Sequence, residues 1–295
     1  MRWDRAGSAG RRGRAWLGAV GLPGTLGLLA GIAAAQAPNA PSAQAPSQRP
    51  EAGSPSVLQL CAEDENSYPW LLRDGSGLNM LMVRLLGQRL GLRFEVVLLP
   101  WRRCLLSLQE GGVDGAFKAS FQPERLKIGR YPMRGGQVDV ERAMLEESYH
   151  LYRLKGSAVN WDGQRLSQLD GPVGAQAGFS IVAWLRQQQL PTEASAKAPD
   201  AILAMLQRGR LGAAALQTSQ GDYALSRHPP FAAQIERQGP PLVSKPYYLL
   251  LSHDFARRHP ALAERIWDGV AAVRESAEYR QALQQALAGA GTAAP

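Results

Sequence analysis

The sequence has little with which to build a metal or covalent catalytic centre: two cysteines and four histidines in 295 residues. His150, His228, His253 and His259 are scattered without metal-ligand spacing and read as hinge or surface residues, so neither a metal nor any other cofactor is expected. No phosphate-binding Walker loop, no G-x-S-x-G nucleophile turn and no Cys-His signature is present, which leaves hydrolytic chemistry without a visible engine. No Lys/Arg stripe with interleaved aromatics appears, which argues against nucleic acid as a partner. No cysteine lies close to the end of the first apolar stretch, so a lipid-anchored mature end is not expected.

That first stretch carries an address. Arg2, Arg5, Arg11, Arg12 and Arg14 precede an apolar run from Ala15 to Ala35 that closes on Ala33-Ala34-Ala35, the small-x-small pattern of a secretory cleavage site. Pro23 and repeated glycines make this run a poor spanning helix, so residues 1–35 read as a cleaved signal peptide. Arg11-Arg12 suits twin-arginine export as well as the general route. Residues 36–55 are Ala, Pro, Ser and Gln with almost no bulky apolar side chain, a disordered tether. Losing five arginines and one aspartate with the signal takes the formal charge from +8 to +4, mildly basic and compatible with a small anionic ligand.

The remainder, roughly 240 residues, suits two α/β lobes of about 100 residues each. Leu108-Gln109-Glu110-Gly111-Gly112-Val113-Asp114-Gly115-Ala116-Phe117 is echoed by Leu206-Gln207-Arg208-Gly209-Arg210-Leu211-Gly212-Ala213-Ala214-Ala215. Each copy reads as a helix end, a glycine stop and a short apolar strand, so one α/β unit is used twice. Strands are expected at 57–62, 94–99 and 113–117, with helices at 78–90 and 101–109 between them; right-handed crossovers then give a mostly parallel sheet. The second lobe repeats the order less clearly, with strands at 172–175 and 211–216 and helices at 179–188 and 200–207. Extended segments at 143–154 and 243–251 are where the chain crosses over and back, and two crossings make a hinge. Final helices with Leu262, Ile266, Trp267 and Val270 on one face, then 279–287, pack back on the sheet. The expected division is 56–146 for the first part of lobe 1, 147–245 for lobe 2, and 246–295 for the return to lobe 1. Cys61 and Cys104 allow either a disulfide in the exported protein or two buried free thiols.

From Leu60 to Met133 the order is a strand, the acidic-aromatic loop Glu63-Asp64-Glu65-Asn66-Ser67-Tyr68-Pro69-Trp70, the turn Asp74-Gly75-Ser76-Gly77, an amphipathic helix, a strand, Pro100-Trp101-Arg102-Arg103, a helix, Gly-Gly-Val-Asp-Gly-Ala-Phe, and Ser120-Phe121-Gln122-Pro123-Glu124-Arg125. The joint order resembles the extracytoplasmic solute-binding proteins of family 3, the polar amino acid type that serve ABC transporters. The resemblance implies a two-lobed periplasmic-binding-protein-like II fold, each lobe a mostly parallel sheet flanked by helices, joined by two hinge strands. It further implies periplasmic binding of a small polar, carboxylate-bearing solute between the lobes, delivery to an inner-membrane permease, and a monomer.

Carried over residue by residue, the resemblance places Ser120 and Arg125 at the ligand carboxylate, where a guanidinium fork matches carboxylate geometry without proton exchange. Asp64 and Trp70 fall at the acid for the ligand amine and at the aromatic wall, with Tyr68 beside them, and Trp101 lies where a strand hands over to a helix at the cleft mouth. Gly178, Phe179 and Ser180 open a second-lobe helix whose N–H groups and dipole favour a carboxylate oxygen. Two positions depart from the family: Gln217 stands where an aspartate usually meets the ligand amine, and Lys118 stands where a small residue is usual. Together they favour a more anionic or non-amino solute. A ligand-sensing module uses the same closing cleft as a transport protein. A dehydratase-type enzyme of this fold would need a tuned acid facing a second-lobe carboxylate, and the sequence offers only Glu63, Asp64 and Glu65.

Overall fold

The computed structural model describes residues 55–292, so the expected signal peptide and all but the last residue of the tether lie outside it. The chain opens with β1 (Val57–Glu63), whose leucines and cysteine are buried, followed by α1 (Leu78–Leu90). Helix α1 stops at Gly91, which takes the left-handed φ of +67° that a side chain resists. Then come β2 (Arg93–Leu99), α2 (Trp101–Gln109) and β3 (Gly115–Ser120). A five-residue 3-10 turn, Pro123–Lys127, leads to the short β4 (Gly129–Arg130) and a small hairpin, β5 (Met133–Arg134) with β6 (Gln137–Val138).

The long β7 (Leu145–Leu154) carries the chain into the second half. There β8 (Asn160–Trp161) and β9 (Leu166–Ser167) form a hairpin, followed by β10 (Val173–Gly174), α3 (Ser180–Gln187), β11 (Thr192–Glu193), α4 (Pro199–Gln207) and β12 (Ala213–Gln217). Helices α5 (Thr218–Arg227) and α6 (Pro229–Gln234) precede β13 (Ile235–Ser252), which returns the chain, and α7 (His253–Arg258), α8 (Pro260–Arg274) and α9 (Ala277–Thr292) close it.

One sheet runs through both halves in the order β11-β10-β12-β7-β13-β3-β1-β2, with β4 on the end of β13. Its two flanks, β2-β1-β3 and β11-β10-β12, are parallel as the α/β alternation demands. The two crossing strands β7 and β13 pair antiparallel in the middle and antiparallel to their outer neighbours. The expected echo is present in backbone form: α2 and α4 each end before a left-handed glycine, Gly111 at φ +75° and Gly209 at +68°, and each hands over to a buried strand. Several boundaries move: β1 runs on to Glu63, the third strand begins at Gly115 and extends to Ser120, the second-half strands are shorter than expected, and β13 starts as early as Ile235. Helix α5 was not expected from the sequence, since Thr, Ser, Gln and Gly at its start give no clear apolar period.

One core cluster lies between the first flank and helices α1, α8 and α9, with Met82, Phe117, Ile266 and Trp267 at its centre. A second runs on the opposite face from Cys61, Trp101 and Cys104 to Ile181 and Ala213, and so joins the two halves. The Sγ atoms of Cys61 and Cys104 are bonded, tying β1 to α2. Helix α5 is seated by a close approach. A β-carbon at Gly221 would lie 2.3 Å from Cζ of Tyr152, a fully buried ring whose hydroxyl donates to Asp222 at 2.8 Å. Gly221→Ala is therefore expected to lower unfolding free energy by about 1–3 kcal/mol through overpacking, checked by urea denaturation; an unchanged midpoint would show that α5 can shift freely.

Candidate functional site

The strand ends of both halves meet at one cavity, in the place where open α/β sheets present ligand groups. Glu63 ends β1, Trp101 opens α2, Ser120 ends β3, Phe179 and Ser180 open α3, and Gln217 ends β12; all line the cavity. Tyr149 and Tyr247 contribute from the crossing strands.

Arg125 forms one wall. The residue is 7% exposed, and its guanidinium donates from Nη1 to the Ser120 carbonyl (2.9 Å) and hydroxyl (3.2 Å), and from Nη2 to the Gly178 carbonyl (3.1 Å). It lies over the Trp101 ring at 5.4 Å from the centroid, a cation–π contact that desolvates one face without neutralising the charge. Gly178 must be glycine: its φ is +82°, and a β-carbon would come within 2.8 Å of Arg102 Cγ. From β13, Lys245 places Nζ 3.3 Å from the Ser180 hydroxyl. Burial and then the nearby Arg125 charge push its ammonium down to about 8.

Lys118 forms the opposite wall, aimed there by a β-bulge. Along the β3–β13 pair, Ala119 faces Tyr248 but Ala116 faces Leu250, so two residues of β3 stand against Leu249 alone. Lys118 takes φ +59° at this extra position, and Ala116 and Ala119 consequently both pack into the second core cluster. Nζ donates to Ser67 Oγ and to Gln217 Oε1 (3.1 Å) and pairs with Glu147 Oε2 at 3.7 Å. Glu147, on β7, also accepts from the Ser219 hydroxyl at 2.6 Å, and Gln217 donates to the Tyr247 hydroxyl at 2.8 Å. Burial lowers the Lys118 pKa, against the opposing pull of Glu147 and Glu63.

The acids at the end of β1 divide. Glu63 lines the cavity, 8% exposed, with Oε2 buried and without a hydrogen-bond partner. Burial first, then the charges of Asp64 and Glu65, push its carboxyl up to about 8, against the lowering effect of Lys118. Glu65 also lines the cavity and is ion-paired to Arg73 at 2.8 Å.

Of the expected residues, Trp101, Lys118, Ser120, Arg125, Phe179, Ser180 and Gln217 line this cavity, and Gly178 touches it through Arg125. Asp64, Tyr68 and Trp70 do not line it. Strand β1 runs one residue further than expected, and because side chains alternate, that step gives the cavity to Glu63 while the Asp64 amide bonds the Leu99 carbonyl at 3.1 Å. Tyr68 points to α9, its hydroxyl 3.2 Å from the Ala286 carbonyl and its ring stacked on Tyr223. Trp70 packs on the first core cluster. Sequence reasoning missed Tyr149, Gln220 and Tyr247, which line the cavity, and Glu147 and Lys245, which contact the lining residues Lys118 and Ser180. Only Glu147 left a signal: a charge at an inward, period-2 position between Leu145 and Tyr149.

The fold is a two-lobed periplasmic-binding-protein-like architecture. A histidine kinase sensor domain with similarity to periplasmic binding proteins is similar with a TM-score of 0.64 and 16% identity, over 78% of this chain and 96% of that one. An ancestral arginine-binding protein bound to glutamine gives 0.63 and 15%, over 79% and 98%. The substrate-binding protein of an amino acid ABC transporter gives 0.60 and 13%, over 78% and 98%. No protein-family model matches the chain, and no curated protein matches it. Among the described residues no helix is long and apolar enough to cross a membrane, and no three His, Cys, Asp or Glu side chains converge as a metal site.

Proposed function

We propose that the protein binds a small polar, carboxylate-bearing solute between its lobes in the periplasm and delivers it, as a monomer, to an ABC transporter permease of the inner membrane. In this reading residues 1–35 are removed on export, 56–146 and 246–295 make one lobe, 147–245 make the other, and β7 and β13 are the hinge. The observation that carries it is Arg125: a buried guanidinium on the cavity wall, three donor contacts to neutral oxygens, and no carboxylate paired with it among the described residues. A permanent charge is retained in such a place when an anion completes it. The likeness to a transporter's binding protein supports delivery. The likeness to a kinase sensor domain favours a second reading, in which the same closure is reported to a membrane receptor.

Arg125→Ala is expected to abolish the rise in melting temperature that a carboxylate solute produces in the wild type by mass action, while the variant still melts cooperatively. Thermal-shift titration checks it. An equal rise in both proteins would place the carboxylate elsewhere.

A further inference from the structure

An unpaired cation and an unpaired acid face this cavity. Of the other charged side chains that line it, Lys118 is matched by Glu147 at 3.7 Å and Glu65 by Arg73 at 2.8 Å. Arg125 and Glu63 remain, and neither is ion-paired among the described residues. The Glu63 carboxyl accepts from the Trp101 amide, but its Oε2 is buried without a partner, and so is Oε1 of Gln220 on α5. Glu63 and Gln220 are 8% and 1% exposed, and both line the cavity. Both orphaned atoms are acceptors. A buried acceptor with no donor in the protein carries its full desolvation cost until a donor arrives from elsewhere.

Arg125 and Glu63 stand at different ends of a hydrogen-bonded run along the cavity. Tyr247 donates to the Tyr149 hydroxyl at 3.3 Å, Gln217 Nε2 to the Tyr247 hydroxyl at 2.8 Å, and Lys118 Nζ to Gln217 Oε1 at 3.1 Å. The Arg125 charge is felt at Tyr149, and the Lys118 charge at Glu63. Beside Arg125 the oxygens are already engaged: the Ser120 carbonyl accepts from Arg125 and from the Tyr131 hydroxyl at 2.8 Å, the Gly178 carbonyl accepts from Arg125, and Gln217 Oε1 accepts from Lys118. None of these carries a charge. An ammonium on the carbon next to the solute's carboxylate would find no counter-ion there, whereas one at the far end of the solute would meet the Glu63 carboxyl and the Gln220 oxygen. Lys118 is neutralised by Glu147 and adds no net charge, so the more anionic solute expected from the sequence is not required.

We propose that the solute is an ω-amino carboxylate, a zwitterion whose carboxylate meets Arg125 and whose terminal ammonium is held by Glu63 Oε2 and Gln220 Oε1. This rests on the cleft being the solute site, as argued above. Glu63 and Gln220 then determine specificity: an ammonium offers three donors and no acceptor, so it can satisfy both oxygens at once, which a second carboxylate or an alkyl end cannot. Binding is linked to a proton. Burial first, then the charges of Asp64 and Glu65 on its own loop, hold the free Glu63 carboxyl at about 8, against Lys118 on β3 and the Trp101 amide at the start of α2, while Gln220 on α5 adds no charge. A cation beside Glu63 favours its carboxylate form. Binding at neutral pH therefore releases the Glu63 proton, and affinity rises with pH until the free carboxyl is itself ionised near 8.

Titration calorimetry of the purified full chain tests this with 4-aminobutyrate, 5-aminovalerate and 6-aminohexanoate against L-norvaline, pentanoate and glutarate, which move the amine to the α-carbon, remove it, or replace it by a carboxylate. The best ω-amino acid is expected to bind tenfold or more tighter than those three at pH 7, to tighten tenfold or more between pH 6 and pH 8, and to give a binding enthalpy that varies with the ionisation enthalpy of the buffer. Glu63→Gln should weaken it tenfold or more, abolish the buffer dependence and leave pentanoate binding unchanged. Unliganded melting checks that the variant folds, and the order of the probes on the wild type decides the matter if it does not. If norvaline, pentanoate or glutarate binds as tightly as the best ω-amino acid, if no proton is released, or if folded Glu63→Gln binds that probe normally, the ω-amino assignment fails while binding that needs Arg125 leaves the cleft reading standing. If no probe binds, or binding survives Arg125→Ala, the assignment and the cleft reading fail together.

Discussion

Lys118→Met should lower the unfolding free energy by about 3–5 kcal/mol, the cost of leaving a buried ionic partner uncompensated. Lys118 and Glu147 are 9% and 6% exposed, and without the ammonium the Glu147 carboxylate keeps the Ser219 hydroxyl but loses its counter-charge. Gln217 Oε1 and Ser67 Oγ lose their donor at the same time. Methionine is the informative replacement. It is unbranched and meets the same left-handed backbone at the bulge as lysine does, so the backbone cost is held constant and the charge is isolated. Adding Glu147→Gln should recover much of the loss, with a coupling above about 1 kcal/mol in the double-mutant cycle. Urea unfolding measures all four proteins, and a Lys118→Met effect below about 0.5 kcal/mol would mean that the ion pair does not form in solution. The pair also links β3 of the first half, the crossing strand β7 and, through Ser219 and Gln217, the second half, so its loss should loosen closure as well as stability.

Replacing both Cys61 and Cys104 by alanine should cost about 2–4 kcal/mol. The bonded residues are 43 apart in sequence, and a cross-link over that span restricts the unfolded chain by an amount worth about 4 kcal/mol in the chain-entropy account. The bond also pins the first turn of α2, where Trp101 supports Arg125, so solute-dependent stabilisation should shrink in the same variant. Denaturation of the double-alanine protein against the oxidised wild type checks this. A difference below about 0.5 kcal/mol would show that core packing of β1 against α2 already restrains the chain.

Much of the first half is legible in the sequence. Helix α2 is bounded by Pro100, which cannot continue the preceding strand as a donor, and by the Gly111-Gly112 stop, and it spans the residues that the sequence predicts. The second-half strands were less legible because two-residue strands such as β10 carry no periodic signal of their own and are defined by their neighbours in the sheet. At the site, Gly178 and Arg125 could be named because the glycine turn and the Pro-Glu-Arg segment match positions that the family resemblance implies, and local chemistry restricts the backbone at both. Lys245 could not, since a lysine in an extended segment reads as solvated until a second chain segment covers it.

By itself the sequence determined the arginine-led apolar composition of residues 1–35, the repeated α/β unit, the parallel flanks and the neutral residue at Gln217. These are local or compositional properties, set by side-chain period, by glycine and proline, and by charge count. Tertiary structure decided which charges are paired. Lys118 reaches Glu147 only because a bulge turns it inward, Glu63 replaces Asp64 because β1 is one residue longer, and Arg125 meets Lys245 because β13 passes the start of α3. A charge is costly or neutral according to its partners across the fold, and sequence distance says nothing about those partners.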